Sequence, residues 1–300
     1  MPQISANGIM LEYDVHGPET GEPLLLIMGL GAQMTHWPQA FVDDLAGRGY
    51  RVIRHDNRDV GLSEKLEAAG APDMQKVYGA LMGGEKPPVP YVLSDMAADA
   101  AALLDALEVE RAHIVGASMG GMIAQMLAAE HPHKVLSLTS IMSSTGNPAL
   151  PPAKPEAMER LSNRGPDPRA DLDGFLDHGM SGARIMAGPN YEPDEAETRA
   201  NLRAAYERSF YPVGFQRQMA AIVASGDRRA ALKTITAPTV VIHGIDDPLV
   251  PKDGGEDTAA NIAGAELHLL EAMGHNFPKP LYGKVADLIE RAAARARADA

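Results

Sequence analysis

The chain of 300 residues contains no cysteine. Disulfides, thiolate metal sites and a cysteine nucleophile are therefore excluded, while the redox compartment stays open. Basic residues are also scarce: 27 Lys and Arg stand against 40 Asp and Glu, for a net charge of −13, and they form no dense patch. Such a surface repels polyphosphate, so no nucleic-acid partner is expected. Long apolar runs are missing as well. The longest, Leu24 to Gly31, falls far short of the ~20 residues that span a bilayer, so no membrane partner is expected. The opening MPQISANGIMLEYDVHG lacks a basic segment followed by an apolar one, which argues against a secretory signal and for a cytoplasmic location. There is no internal repeat and no low-complexity tract.

What is present is enough apolar material, 45%, to bury a full core. Met10 to His16, Leu24 to Met28 and Arg51 to His55 read as strands, the second continuously apolar as in a strand covered on both faces. From Ser94, apolar residues at helical spacing predict a helix with Ser94 as N-cap and Asp95 in its first turn. Ala112 to Val115 predicts a strand and Met119 to Ala129 a helix that His131-Pro132 ends. Val135 to Ile141, Thr239 to His243 and Glu266 to Leu270 predict further strands, before a C-terminal helix from about Leu281. Strands alternating with helices indicate an α/β fold with a mainly parallel sheet.

Between 143 and 237 the pattern changes, with prolines at 148, 151, 152, 155, 166 and 168 followed by polar helical segments such as Glu195 to Phe210. The expected organisation is a core of 1–145 and 235–300 with a helical cap inserted over 146–234, above the sheet edge where such folds bind ligands. A second irregular stretch, Leu66 to Pro90, borders the same edge.

Gly116-Ala117-Ser118-Met119-Gly120 places a serine between glycines, where a predicted strand turns into a predicted helix. This is the setting of an exposed nucleophile; the bland alternative is a small residue in a tight turn. An alcohol nucleophile needs a general base, and the base an orienting carboxylate. Gly244-Ile245-Asp246-Asp247-Pro248 follows one predicted strand and Met273-Gly274-His275-Asn276 another, so an acid and a histidine reach the same sheet edge as Ser118. Asp247, next to Pro248, is the preferred acid over Asp246, which reads as a solvated turn residue. The backbone N–H of Met119 and that of Leu30, in the turn Gly29-Leu30-Gly31, are the candidate oxyanion donors.

Other side chains receive structural readings. His131 and His133 lack a third ligand, so no metal is expected; His55, His113 and His243 sit at strand ends; His178 reads as a cap loop residue. Trp37 reads as packing, and the sixteen methionines, including Met82 in Leu81-Met82, as core or as an adaptable pocket.

Taken together, LLLIMGLGAQ, RVIRHDNRDVGLS, AHIVGASMGGMIAQ, VIHGIDDPLVP and GHNFP resemble the α/β-hydrolase family over nearly the whole chain, in the branch of bacterial carboxylesterases and aclacinomycin-methylesterase-like enzymes. The resemblance implies Ser118 as nucleophile, His275 as base, Asp247 as acid, Leu30 and Met119 as oxyanion donors, and no cofactor. Two departures stand out: Met28-Gly29 replaces the usual His-Gly, and Asp59 replaces a glycine in the loop Asp56 to Ser63. The expected activity is cleavage of small or medium carboxylic esters. Lactone, C–C, peptide or perhydrolase chemistry would use the same triad, and a ligand-binding receptor on this scaffold is the reading from another class.

Overall fold

The structure, a computed structural model, describes residues 2–163 and 165–298. In chain order the elements are β1 (Gln3–Ala6), β2 (Ile9–His16), β3 (Glu22–Ile27), α1 (Gln39–Gly47), β4 (Tyr50–His55), α2 (Met74–Met82), α3 (Leu93–Ala106), β5 (Ala112–Ala117), α4 (Met119–Glu130) and β6 (Val135–Ile141). Then come α5 (Pro155–Ser162), α6 (Leu172–Met186), α7 (Glu195–Arg208), α8 (Pro212–Ser225), α9 (Arg229–Leu232), β7 (Thr239–Gly244), α10 (Asp253–Ala260), β8 (Glu266–Leu270) and α11 (Tyr282–Ala298).

The strands form one eight-stranded sheet in the order β1-β2-β4-β3-β5-β6-β7-β8, parallel from β4 to β8. Only β1 and β2 run antiparallel to their neighbours. The side-chain alternation of β3 explains its apolar run. Leu25 and Ile27 enter the core under α3 and α4, while Leu24 and Leu26 enter the one under α1 and α11, and all four are fully buried. Registers such as Ile27 with Gly116, Ala117 with Ile141 and Gly244 with Leu270 align the C-terminal ends of β3, β5, β6, β7 and β8 along one edge. Helices α5 to α9 fall between β6 and β7. Within that stretch, Ala221 of α8 and Leu232 of α9 already pack into the core beneath α4.

The structure corrects several local expectations. The helix expected from Ser94 starts at Leu93 with Val92 as N-cap; the Asp95 carboxylate accepts the Val92 N–H at 2.8 Å, and the Ser94 hydroxyl donates to Glu130 instead. The stretch 66–90 contains α2, capped by Asp73, whose carboxylate accepts from the Gln75 and Lys76 amides. His178 lies within α6, not in a loop, with Nε2 against the Asn163 carbonyl. Leu81 and Met82 are exposed, Met82 by 91%, so they do not belong to the core. Among the described residues, no helix is long and apolar enough to cross a membrane.

Candidate active site

The turn between β5 and α4 is the densest point of the fold. A Cβ on Gly116 would fall 2.1 Å from the Gly120 carbonyl oxygen, and one on Gly120 2.1 Å from that of Ile27, so both positions exclude a side chain. Ser118, between them, takes φ 55° and ψ −121°, a conformation costing on the order of 1–3 kcal/mol for a non-glycine residue. Its amide is held by the Ile141 carbonyl at 2.9 Å, and it is only half-buried. The hydroxyl thus stands above the sheet edge at the head of α4, where the helix presents unpaired N–H groups, that of Met119 included, and the positive end of its dipole.

His275 and Asp247 complete a chain of hydrogen bonds. His275 Nε2 lies 3.0 Å from Ser118 Oγ, and Nδ1 lies 2.7 Å from Asp247 Oδ2. An ionised carboxylate only accepts, so Nδ1 carries the proton and Nε2 is left to accept the serine hydroxyl. Asp247 is fully buried at its side chain, and Oδ1 accepts the Leu249 and Val250 amides at 2.9 and 2.8 Å. Burial alone would raise its pKa; the electrostatic pull and hydrogen bond of His275, the nearby His243 ring and the Val250 N–H outweigh that and hold it at about 2. Asp246 is exposed. The three side chains therefore meet at one point although Ser118 and His275 are 157 positions apart.

The loop after β3 passes directly over the serine. A Cβ on Gly29 would lie 3.2 Å from Ser118 Cβ and 3.7 Å from Oγ. The Gly29 carbonyl accepts from the Ala32 amide at 3.2 Å. In a trans peptide the N–H opposes the C=O, so the Leu30 N–H points away from that turn. Leu30 and Gly31 also line a cavity of about 570 Å³ beneath the helices that precede β7, walled by Phe175, Met186, Tyr206, Phe210 and Phe215. Ser118 is not part of this lining; the loop that passes over Ser118 at Gly29 continues through Leu30 and Gly31 into the cavity wall.

Three supports were not legible from motifs. His243 packs beside the acid, with Nε2 3.6 Å from Asp247 Oδ2 and 2.8 Å from the Val250 carbonyl. The Met186 carbonyl, at the end of α6, accepts the His275 amide at 2.8 Å. Gln218 of α8 accepts the Gly31 N–H and donates to the Arg58 carbonyl, both at 2.8 Å. The loop Asp56 to Ser63 holds this assembly: Asp56 accepts the Met34 amide at 2.8 Å and pairs with Arg208 at 2.7 Å, while Asn57 donates to the Met28 carbonyl at 2.9 Å. Met28 is thus fixed through its backbone, whatever its side chain. Asp59 takes φ 69°, which accounts for the glycine usual there, and is held by Arg217. His131 and His133 flank the end of α4 with ring centroids 6.2 Å apart, and no group of three or more metal-ligating side chains forms among the described residues.

A family model described as alpha/beta hydrolase fold matches residues 22–278. The chain belongs to this family. This α/β hydrolase is 28% identical over 305 residues to rhodomycin D methylesterase of Streptomyces sp. strain C5, covering 95% of each chain. Among solved structures, a meta-cleavage product hydrolase from Pseudomonas fluorescens superimposes with a TM-score of 0.76 at 19% identity, over 99% of this chain and 98% of the other. An N-acyl homoserine lactone degrading enzyme gives a TM-score of 0.69 at 26% identity, over 97% and 99%.

Proposed function

We propose that this α/β hydrolase is a serine carboxylesterase acting on small or medium esters. Ser118 Oγ attacks the ester carbonyl while neutral His275 takes its proton through Nε2, and ionised Asp247 holds the tautomer and stabilises the imidazolium. The backbone N–H groups of Leu30 and Met119 receive the oxyanion, a contribution of about 10²–10³ in rate for each such donor in comparable sites. His275 then protonates the departing alcohol and, as base again, activates the water that releases the acid.

The observation that carries this reading is the unbroken path Ser118–His275–Asp247, at 3.0 and 2.7 Å, ending on a buried carboxylate whose pKa is held at about 2. Similarity to a methylesterase over 95% of the chain supports ester chemistry. Similarity to a lactone-degrading enzyme supports a cyclic ester as the second reading, using the same side chains. A fluorophosphonate probe together with a panel of p-nitrophenyl esters and lactones tests both. Wild type is expected to be labelled and Ser118→Ala left blank; an unlabelled wild type that turns over no ester or lactone ends the proposal.

A further inference from the structure

Arg160 is a cation with no acidic partner among the described residues. It sits on α5, half-buried, against Gly182 of α6, where a Cβ would fall 2.0 Å from its Nε. Nη1 donates to the Asn163 carbonyl at 2.9 Å, but Nε is shut off from solvent and has no hydrogen-bond partner among the described residues. Burial pushes its pKa down, with no acidic neighbour to oppose the shift.

Its neighbours are treated differently. Arg169 pairs with Asp167 at 2.6 Å, Arg184 with Glu195 at 3.0 Å, Arg199 with Asp177 and Glu195, Arg208 with Asp56 at 2.7 Å and Arg217 with Asp59 at 2.6 Å. Arg203 is exposed and needs no partner. Arg160 also lines the cavity of about 570 Å³ that begins at Leu30. Among the described cavity-lining residues the one carboxylate, Asp167, is engaged by both Nε and Nη2 of Arg169. The same cavity is lined by the packed rings of Phe175, Tyr206 and Phe210.

A partly desolvated guanidinium whose Nη2 has no hydrogen-bond partner among the described residues fits an anion, and rings fit an apolar body. A surface of net charge −13 repels anions, so a fixed cation inside the cavity is what would select them. We propose that the cavity is an anion-anchored subsite, taking an apolar or aromatic substrate arm that ends in a carboxylate held by Arg160, with the ester carbonyl at Leu30. The inference deepens the esterase reading and rests on it for the position of the ester.

The test is titration calorimetry of the whole protein with 4-phenylbutyrate and with its neutral isostere, 4-phenylbutyramide. Wild type is expected to bind the acid about 10–100-fold tighter, the range for a charge-assisted hydrogen bond in a desolvated site. Arg160→Met removes that preference and leaves the amide within about threefold of its wild-type affinity. Arg160→Gln keeps a donor for Asn163, and so the end of α5, and loses the preference in the same way. Equal affinity of wild type for acid and amide, or equal weakening of both ligands in the variants, overturns the proposal. Binding needs no turnover, so the result is independent of the esterase test. As a second readout, mono-p-nitrophenyl adipate is expected to lose at least about tenfold in kcat/KM in Arg160→Met while p-nitrophenyl hexanoate is unchanged; parallel losses count against the subsite.

Discussion

Removing Arg217 from the core is expected to be among the costliest single changes outside the triad, and a double-mutant cycle isolates the reason. Its guanidinium donates to both oxygens of Asp59, at 2.8 and 2.6 Å, to the Gly70 carbonyl at 2.8 Å and to the Tyr211 hydroxyl at 2.9 Å. Both charged side chains are fully buried. Asp59 also accepts the Tyr91 hydroxyl and the Leu66 amide, each at 2.8 Å. Arg217→Met leaves these two donors but strips the countercharge, so a buried carboxylate stands unpaired at a cost of about 3–5 kcal/mol. Asp59→Gly strands the arginine instead, a loss offset by about 1–3 kcal/mol because φ 69° suits glycine. The double variant removes both charges and should lose far less than the sum. A coupling of at least about 2 kcal/mol is expected from urea unfolding of the four proteins. A coupling below about 0.5 kcal/mol would refute the claim that the pair, and not side-chain volume, governs this site.

Further predictions concern the triad and its frame. Asp247→Asn is expected to keep the fold and to lower kcat on the order of 10⁴-fold, because the wrong imidazole tautomer is then favoured; a loss under about tenfold in steady-state kinetics would remove Asp247 from the machinery. The carboxylate also contributes to acid stability. Its pKa falls from 3.8 in the unfolded chain to about 2 in the folded one, so the stabilisation is complete above pH ~5 and lost as pH falls through 4 towards 2. It amounts to about 2 kcal/mol, and Asp247→Asn should flatten that acid limb in stability curves. Gly120→Ala forces a methyl to within 2.1 Å of the Ile27 carbonyl oxygen, and is expected to destabilise by at least about 2 kcal/mol in thermal melts and to abolish probe labelling of Ser118.

Much of the frame was readable because periodicity follows burial. The spans of β6 and β8 match the expected strands residue for residue, and the apolar stretch of β3 reflects a strand covered on both faces. β1 was missed, being only four residues with a weak pattern, although Asn7 and Gly8, at φ 50° and 79°, mark a two-residue hairpin turn that announces it. Ser94 failed as a cap because local chemistry offered two starts for α3, and the Asp95 carboxylate reaching back to Val92 decided between them.

The sequence by itself determined the fold family and the identity of Ser118, Asp247 and His275 as a candidate set, since a serine, an aspartate and a histidine arrive after strands of one parallel sheet in a readable order. Tertiary structure alone decided what surrounds them. It put the buried Asp247, not the exposed Asp246, on His275. It joined Asp59 to Arg217 across 158 positions and Gln218 to the Gly31 amide across 187, and it left Arg160 without a carboxylate among the described residues. Hydrogen bonding and charge pairing depend on distance in space, and no periodicity along the chain encodes which distant side chains come within 3 Å of one another.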